Sequence, residues 1–322
     1  MNKLHDVDVI VFNSHGVGQV CEVERLPRRG ETMEAKNWRV EEDGGKGATV
    51  SVALGRLGVK TGYIGKVGDD PWGEMGNKWM SESGVDTTYM YVDPNVATGT
   101  GLIMIDKDGL NTIVDGDSAC QYLTEEEIFT AIDNLSSAKY FITGFGMPYK
   151  ISLLGAKYAK EKYNLTTFCN ASPLPNESLG DLSYIDYIVL NDIEAKVLLN
   201  LPENSEDDFN KIAKEIQKRH NLHGVIITMG DKGSVILDND NYIEINPTKV
   251  EAVYTIGAGD GYLAAIVAAL NWGYTLKDAA KFASNYSAFK VTREGTMTKE
   301  KNKGYPFIEE VKEFISTIGE QK

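Results

Sequence analysis

Cysteine is scarce in this chain: Cys21, Cys120 and Cys169 are spread over 322 positions. An odd number at such separations fits a reducing, cytoplasmic setting better than a disulfide framework. Histidine is as sparse. Its one close pair, His220 and His223, lacks a cysteine or a second pair at zinc spacing and reads as a helix-end surface feature. Positive charge is also short, since 33 Lys and Arg stand against 47 Asp and Glu, a formal net charge of −14. That balance argues against nucleic acid or an anionic membrane surface as the main partner, because both require basic patches. No apolar run approaches the roughly 18 residues of a membrane span. The early run Val7-Asp-Val-Ile-Val-Phe12 is broken by Asp8 and has no cleavage-like tail, so it reads as a first buried strand and not as a signal peptide.

Two nucleotide-binding signatures are missing as well. A phosphate loop needs Gly-x4-Gly-Lys-Ser/Thr, but Gly45-Lys46 is followed by Gly47 and Gly65-Lys66 by Val67. The dinucleotide fingerprint fails because His15-Gly-Val-Gly18 lacks a third glycine and an opening helix, which makes a nicotinamide cofactor improbable.

What is present is enough apolar residue, 42% of the chain against 25% charged, to bury a full core. Short β-rich apolar runs alternate with helical patterns, which predicts an α/β fold with a mainly parallel sheet covered on both faces. Strands are expected at 7–12, 61–65, 138–143, 165–169, 185–190 and 224–228. Helices are expected at 48–57, 71–83, 124–134, 150–163, 192–199, 206–220, 260–271, 276–291 and 307–317. Residues 14–40 and 88–115 break the alternation and read as antiparallel strands with turns at Arg28-Arg29-Gly30 and Lys107-Asp108-Gly109. They are expected to form a small sheet hung from a single domain spanning 1–322. Runs such as Gly101-Leu-Ile-Met-Ile105 are too apolar for an unprotected ribbon, so this sheet should cover a site, pair with another subunit, or both.

The most informative segment is Tyr254-Thr-Ile-Gly-Ala-Gly-Asp-Gly-Tyr262, a glycine turn running into the apolar stretch Tyr262–Leu270. Gly257, Ala258 and Gly259 have little or no side chain, so their amides can converge on an anion at a helix N-terminus. Asp260 would lie beside that anion, placed to take a proton from an attacking hydroxyl. An ordinary acidic first turn reads the same residues without chemistry. A second glycine turn, Gly44-Gly45-Lys46-Gly47, enters a helix and could grip hydroxyls or a phosphate, or be a plain structural turn. Asn191 and Glu194 follow an apolar strand at a three-residue spacing. They could reach a nucleotide phosphate and its Mg²⁺ through water, or simply cap a helix. Thr228 to Gly233 reads as strand, glycine turn and second strand, able to present backbone to a nucleotide or to be a hairpin.

Taken in order, these elements resemble the ribokinase-like, phosphofructokinase B type of carbohydrate kinase over nearly the whole chain. The resemblance rests on Pro27-x-x-Gly30-Glu-Thr32, Gly44-Gly-Lys-Gly-Ala48, Gly65-Lys-Val-Gly-Asp-Asp70, Asn191-x-x-Glu194, Thr228-x-Gly230-x-x-Gly233, Gly257-Ala-Gly-Asp260 and Val291-Thr-Arg293. It implies a three-layer domain with a β lid, ATP and Mg²⁺ as cosubstrates, and frequently a homodimer formed through the lids. It further implies Asp260 as base, residues 257–259 as anion hole, Asn191 and Glu194 as Mg-ATP organisers with Glu194 acting through water, and Thr228, Gly230 and Gly233 in the nucleotide site.

The acceptor site departs from that pattern. The sugar-binding Asp of ribokinase-type enzymes falls at Gly18, the Asn that ends the Gly-Gly-Lys-Gly-Ala-Asn motif is Thr49, and the acidic residue after the mid-chain strand is Gly146. Lost polar partners weaken discrimination for a small sugar such as ribose, and two glycines suggest added volume for a bulkier sugar or a nucleoside. Phe12, Trp38 and Phe145 are candidate apolar contacts. Lys46, Arg28, Arg29 or Arg39 could meet a phosphate already on the acceptor. In many relatives an Asp six residues before the base helps hold a monovalent cation. Here Tyr254 and Ile256 offer no such carboxylate, which weighs against potassium activation. The leading expectation is an ATP-dependent sugar kinase, with a nucleoside kinase and a non-catalytic ligand-binding scaffold as alternatives.

Overall fold

Strand β1 (Val9–Phe12) is four apolar residues buried on both faces. Val9 and Val11 point into one core, Ile10 and Phe12 into the other. That two-sided burial explains why the strand reads as a continuous apolar run without alternation. The computed structural model describes residues 5–41, 44–108, 111–202 and 208–319. Its main sheet has nine strands. Their spatial order is β13 (Asn241–Ile245), β12 (Ser234–Asp238), β11 (Gly224–Thr228), β10 (Tyr187–Asn191), β9 (Thr166–Asn170), β8 (Tyr140–Gly144), β1, β4 (Thr61–Gly68) and β5 (Asp86–Asp93). Every pairing from β11 to β5 is parallel, and β12 and β13 close one edge as antiparallel strands.

Helices α1 (Gly45–Arg56), α2 (Pro71–Ser81), α7 (Ala258–Asn271), α8 (Leu276–Val291) and α9 (Ile308–Gly319) cover one face, burying Leu54, Met80, Ile266, Ala280 and Val311. The opposite face carries α3 (Glu125–Asn134), α4 (Tyr149–Tyr163), α5 (Asp192–Leu198) and α6 (Phe209–His220), burying Ile128, Ala156, Ala195 and Ile216. The result is the three-layer α/β architecture expected from the alternation of elements. Each expected strand and helix has a counterpart in the described residues. Residues 206 and 207 of the sixth expected helix, and Gly109 of one expected turn, lie outside them.

The small sheet has the order β3 (Lys36–Glu41), β2 (Gly16–Glu22), β6 (Gly99–Ile105) and β7 (Asn111–Asp115). Two details differ from the sequence reading. Residues 88–93 belong to β5 at the edge of the main sheet, where Tyr89 and Tyr91 pack against the core under α3. The central pairing of the small sheet, β2 with β6, is parallel, whereas the outer pairs are antiparallel as expected. Two strands distant in sequence meet here, so no turn could signal their direction.

The chain enters the small sheet through Asn13, Ser14 and His15. His15 is 1% exposed, with Nδ1 2.8 Å from the carbonyl oxygen of Gly44 and Nε2 2.9 Å from that of Trp72. A neutral ring donates to one carbonyl and leaves the other facing a lone pair. Asp70 caps α2 by accepting from Trp72 N and Gly73 N, and also accepts from Thr98 N just before β6. Burial holds the His15 pKa below 6.5, against the opposing pull of the two carbonyls and of Asp70. The unfolded chain therefore binds this proton more readily than the folded one, and stability should fall as pH drops through about 6.5. Denaturant titrations between about pH 7.5 and 5.5 should show that loss in the parent and a flatter profile in His15→Gln. Equal slopes in the two proteins would remove His15 as the cause.

Candidate active site

Polar residues gather where the parallel strands end: Asn13 after β1, Asn170 closing β9, Asn191 closing β10 and Thr228 closing β11. Ligands of open parallel sheets bind outside these carboxyl ends. A cavity of about 770 Å³ opens there, large enough for a nucleotide. Asp260, on the first turn of α7, lies on its wall with Lys46, Asn170, Asn191 and Glu194.

The turn before α7 is shaped by Gly257, whose φ of 77° favours glycine, and where a Cβ would stand 2.5 Å from Tyr305 Oη. Its carbonyl accepts from Tyr305 Oη at 2.8 Å and from Gly261 N at 2.9 Å. Ala258 N donates back to Thr255 O at 3.1 Å. The expected trio of open amides at 257–259 is thereby altered: Ala258 closes the turn, while the amides of Gly257, Gly259 and Asp260 make no backbone hydrogen bond among the described residues. All three residues line the cavity, and a Cβ at Gly259 would meet nothing within 4 Å.

Both carboxylate oxygens of Asp260 have side-chain donors. Asn170 Nδ2 donates to Oδ1 at 3.0 Å, and Thr49 Oγ1 lies 3.2 Å from Oδ2. The buried Thr49 hydroxyl is also 2.9 Å from Gly45 O and 3.0 Å from Lys46 O, so three acceptors lie within reach of its single proton. Thr49 thus ties the glycine turn of α1 to the acid on α7. Asn170 was not anticipated from sequence. Its only signal was a polar residue ending an apolar strand.

Within the Gly44-Gly-Lys-Gly turn, Gly44 and Gly45 adopt φ of 73° and 69°. Gly47 packs so closely that a Cβ would lie 2.5 Å from Ser14 O. Lys46 lines the cavity; Gly18, Gly44, Gly45, Thr49 and Gly146 are not among its lining residues. Gly18 sits on β2, paired with Gly101 and Glu41 in the small sheet. Gly146 follows β8, and a Cβ there would meet Ser14 Oγ at 2.7 Å and Asn13 Oδ1 at 2.9 Å. The volume inferred from that glycine is therefore filled by two polar side chains. Phe12 and Phe145 are core residues, whereas Trp38 is 59% exposed on the small sheet.

Asn191 and Glu194 form a reciprocal capping box at the start of α5. Asn191 N donates to Glu194 Oε2 at 2.8 Å and Glu194 N to Asn191 Oδ1 at 2.7 Å. Capping and facing the cavity coexist here, because α5 begins at its rim. Thr228, which pairs with Asn191 across the β10–β11 strand ends, lines the cavity with Gly230 and Gly233, in a turn joining β11 to β12 with both glycines at positive φ. Burial pushes the Tyr262 phenol up to about 12 and raises the Cys169 thiol. Both stay protonated at neutral pH.

No cluster of three or more His, Cys, Asp or Glu able to hold a metal occurs among the described residues, and none of their helices is long and apolar enough to cross a membrane. A deoxyribokinase of Salmonella typhi is 28% identical over 313 residues, covering 96% of this chain and 99% of its own. A ribokinase of Staphylococcus aureus is 29% identical over 307 residues, covering 94% and 98%. Among solved structures, Arabidopsis thaliana ribokinase complexed with ribose and ATP superimposes with a TM-score of 0.83 at 23% identity, covering 97% of this chain and 99% of that one. Giardia lamblia ribokinase gives 0.85 at 21% identity, with 97% and 99% covered. The family model for pfkB carbohydrate kinases matches residues 17–303, and the chain belongs to that family of ATP-dependent sugar kinases.

Proposed function

We propose that the chain transfers the γ-phosphoryl group of ATP to a hydroxymethyl group of a pentose-sized sugar, with Asp260 as general base. The observation that carries this reading is the placement of Asp260 beside the amides of Gly257 and Gly259, its carboxylate oriented by Asn170 and Thr49. The acceptor O–H gives its proton to Asp260 as the oxygen bonds to the γ-phosphorus. The bond from that phosphorus to the β,γ-bridging oxygen breaks, and ADP leaves. The amides of Gly257, Gly259 and Asp260, with the helix N-terminus, stabilise charge on the transferring group. Lys46, from the glycine turn of α1, lines the same cavity and offers a cation.

The nucleotide fits the cavity on its chemistry. Val250, Ala252, Ala288 and Val291 supply apolar walls, and Thr228 and Gly230 bring backbone and a hydroxyl. Mg²⁺ in this site would neutralise phosphate charge, bound by phosphate oxygens and water. Glu194 suits such a water, since one carboxylate oxygen is used by the cap and the second remains for it.

A small acceptor is favoured by relatives named ribokinase and deoxyribokinase, and by Asn13 and Ser14 occupying the space beside Gly146. The exposed Trp38, Val40 and Val114 of the small sheet form the surface on which a second copy packs in this reading, and the scarcity of cysteine suits a cytoplasmic enzyme.

ADP release measured over ribose, 2-deoxyribose, hexoses and nucleosides should be fastest with a pentose, and a nucleoside preferred over every sugar would contradict the acceptor assignment. Asp260→Asn should lower turnover by about 10²-fold or more while leaving thermal stability near the parent. Near-parental turnover in that variant would remove Asp260 as the base. Gly259→Ala places a methyl in the cavity at a helical position, so it should fold with equal or higher stability, by up to about 1 kcal/mol, yet bind Mg·ATP more weakly. Unchanged nucleotide affinity would show that the phosphates do not approach this turn.

A further inference from the structure

Lys290, near the end of α8, has no exposed surface. Its ammonium donates to Ile256 O at 2.6 Å and to Tyr254 O at 3.3 Å. It also lies 4.4 Å from the centroid of the Tyr254 ring and 5.9 Å from that of Tyr305. Desolvating an ammonium is costly, so a fully buried one must be repaid by groups that favour positive charge. Carbonyl oxygens and aromatic faces are such groups. Those gripped here belong to the turn that enters α7.

We propose that Lys290 is a positioning residue that serves as a built-in monovalent cation for the anion-binding turn. In a trans peptide the carbonyl and the following N–H point in opposite directions. Drawing Ile256 O towards α8 therefore turns Gly257 N–H towards the cavity, and drawing Tyr254 O the same way turns Thr255 N–H outwards. Independent contacts hold the rest of the turn in register: Val291 O accepts from Val253 N and Tyr254 N, and Tyr305 Oη donates to Gly257 O. Tyr305 is itself anchored, because Arg56 Nη1 donates to its carbonyl from α1. The carboxylate by which many relatives hold a cation is replaced at this position by Tyr254, whose ring and carbonyl both face the lysine. A potassium ion does not fit beside an ammonium already placed on these carbonyls. The turn should be organised by the chain itself, without a dissolved cation.

The inference rests on the kinase reading for its consequence in turnover, so nucleotide binding is measured separately from catalysis. Affinity for Mg·β,γ-imido-ATP is titrated by calorimetry in KCl and in tetramethylammonium chloride, and ADP release is followed over the sugar panel in both salts. The parent should show the same affinity and the same turnover, within about twofold, in either salt. Lys290→Ala should bind the analogue about tenfold or more weakly in tetramethylammonium, and K⁺, ammonium or methylammonium should restore much of the loss. Many-fold activation of the parent by K⁺ would overturn the proposal, and that arm stands even where the variant does not fold. A folded Lys290→Ala variant with parental affinity in tetramethylammonium would overturn it too, as would a loss that no cation repairs. A parent that binds the analogue yet releases no ADP with any sugar would instead sink the kinase reading, leaving the binding arms to decide the role of Lys290.

Discussion

The orientation of the peptide groups from Tyr254 to Gly257 is the constraint on which the site depends. Lys290 on α8 draws the carbonyls of Tyr254 and Ile256, which exposes the amides of Thr255 and Gly257 that follow them, while Tyr305, from the segment leading into α9, holds Gly257 O. A hydrogen bond from a charged donor contributes about 1.5–3 kcal/mol, more than a solvated loop gains from water, so the turn is set before any ligand arrives. Preorganised amides stabilise developing charge without reorganising during the reaction. Gly257 is required by the same geometry, since its positive φ starts the helix in the right direction.

The second half of the arrangement is the carboxylate. Asp260 projects from a helix that packs against α1, and its two oxygens meet donors from β9 and α1. Three elements distant in the chain thus converge on one acid because the parallel sheet places their ends on the same side. Thr49 shows how economical the packing is: one hydroxyl joins the glycine turn to the acid while its methyl-bearing carbon lies wholly buried. His15 extends the same turn outwards, joining Gly44 to α2 where the chain crosses into the small sheet.

Much of this was legible in the sequence, for physical reasons. Two-sided burial writes a parallel strand as an unbroken apolar run, and helices between such runs carry caps and periodic apolar faces, so the expected elements fell within a few residues of the observed ones. Glycine turns entering helices were equally visible, because positive φ restricts residue choice at Gly44, Gly45 and Gly257. Long-range pairings were not. The parallel union of β2 with β6, and the departure of β5 to the main sheet, depend on which surfaces meet and not on local pattern. Asn170 lies 90 positions from Asp260 and Lys290 lies 34 from Ile256, so nothing in local spacing announces either contact. Gly146 misled for a related reason: a missing side chain suggests space, but Asn13 and Ser14 from another strand end fill it.

The central claim is that amides of the 257–260 turn and the carboxylate of Asp260 act on the same phosphoryl transfer. A crystal structure with Mg·ADP, aluminium fluoride and a sugar that supports turnover tests it most directly. The account predicts the fluoride group against the amides of Gly257 and Gly259, with the acceptor hydroxyl about 3 Å from an Asp260 oxygen. A fluoride group bound away from this turn, or an acceptor hydroxyl directed to a different side chain, would contradict it.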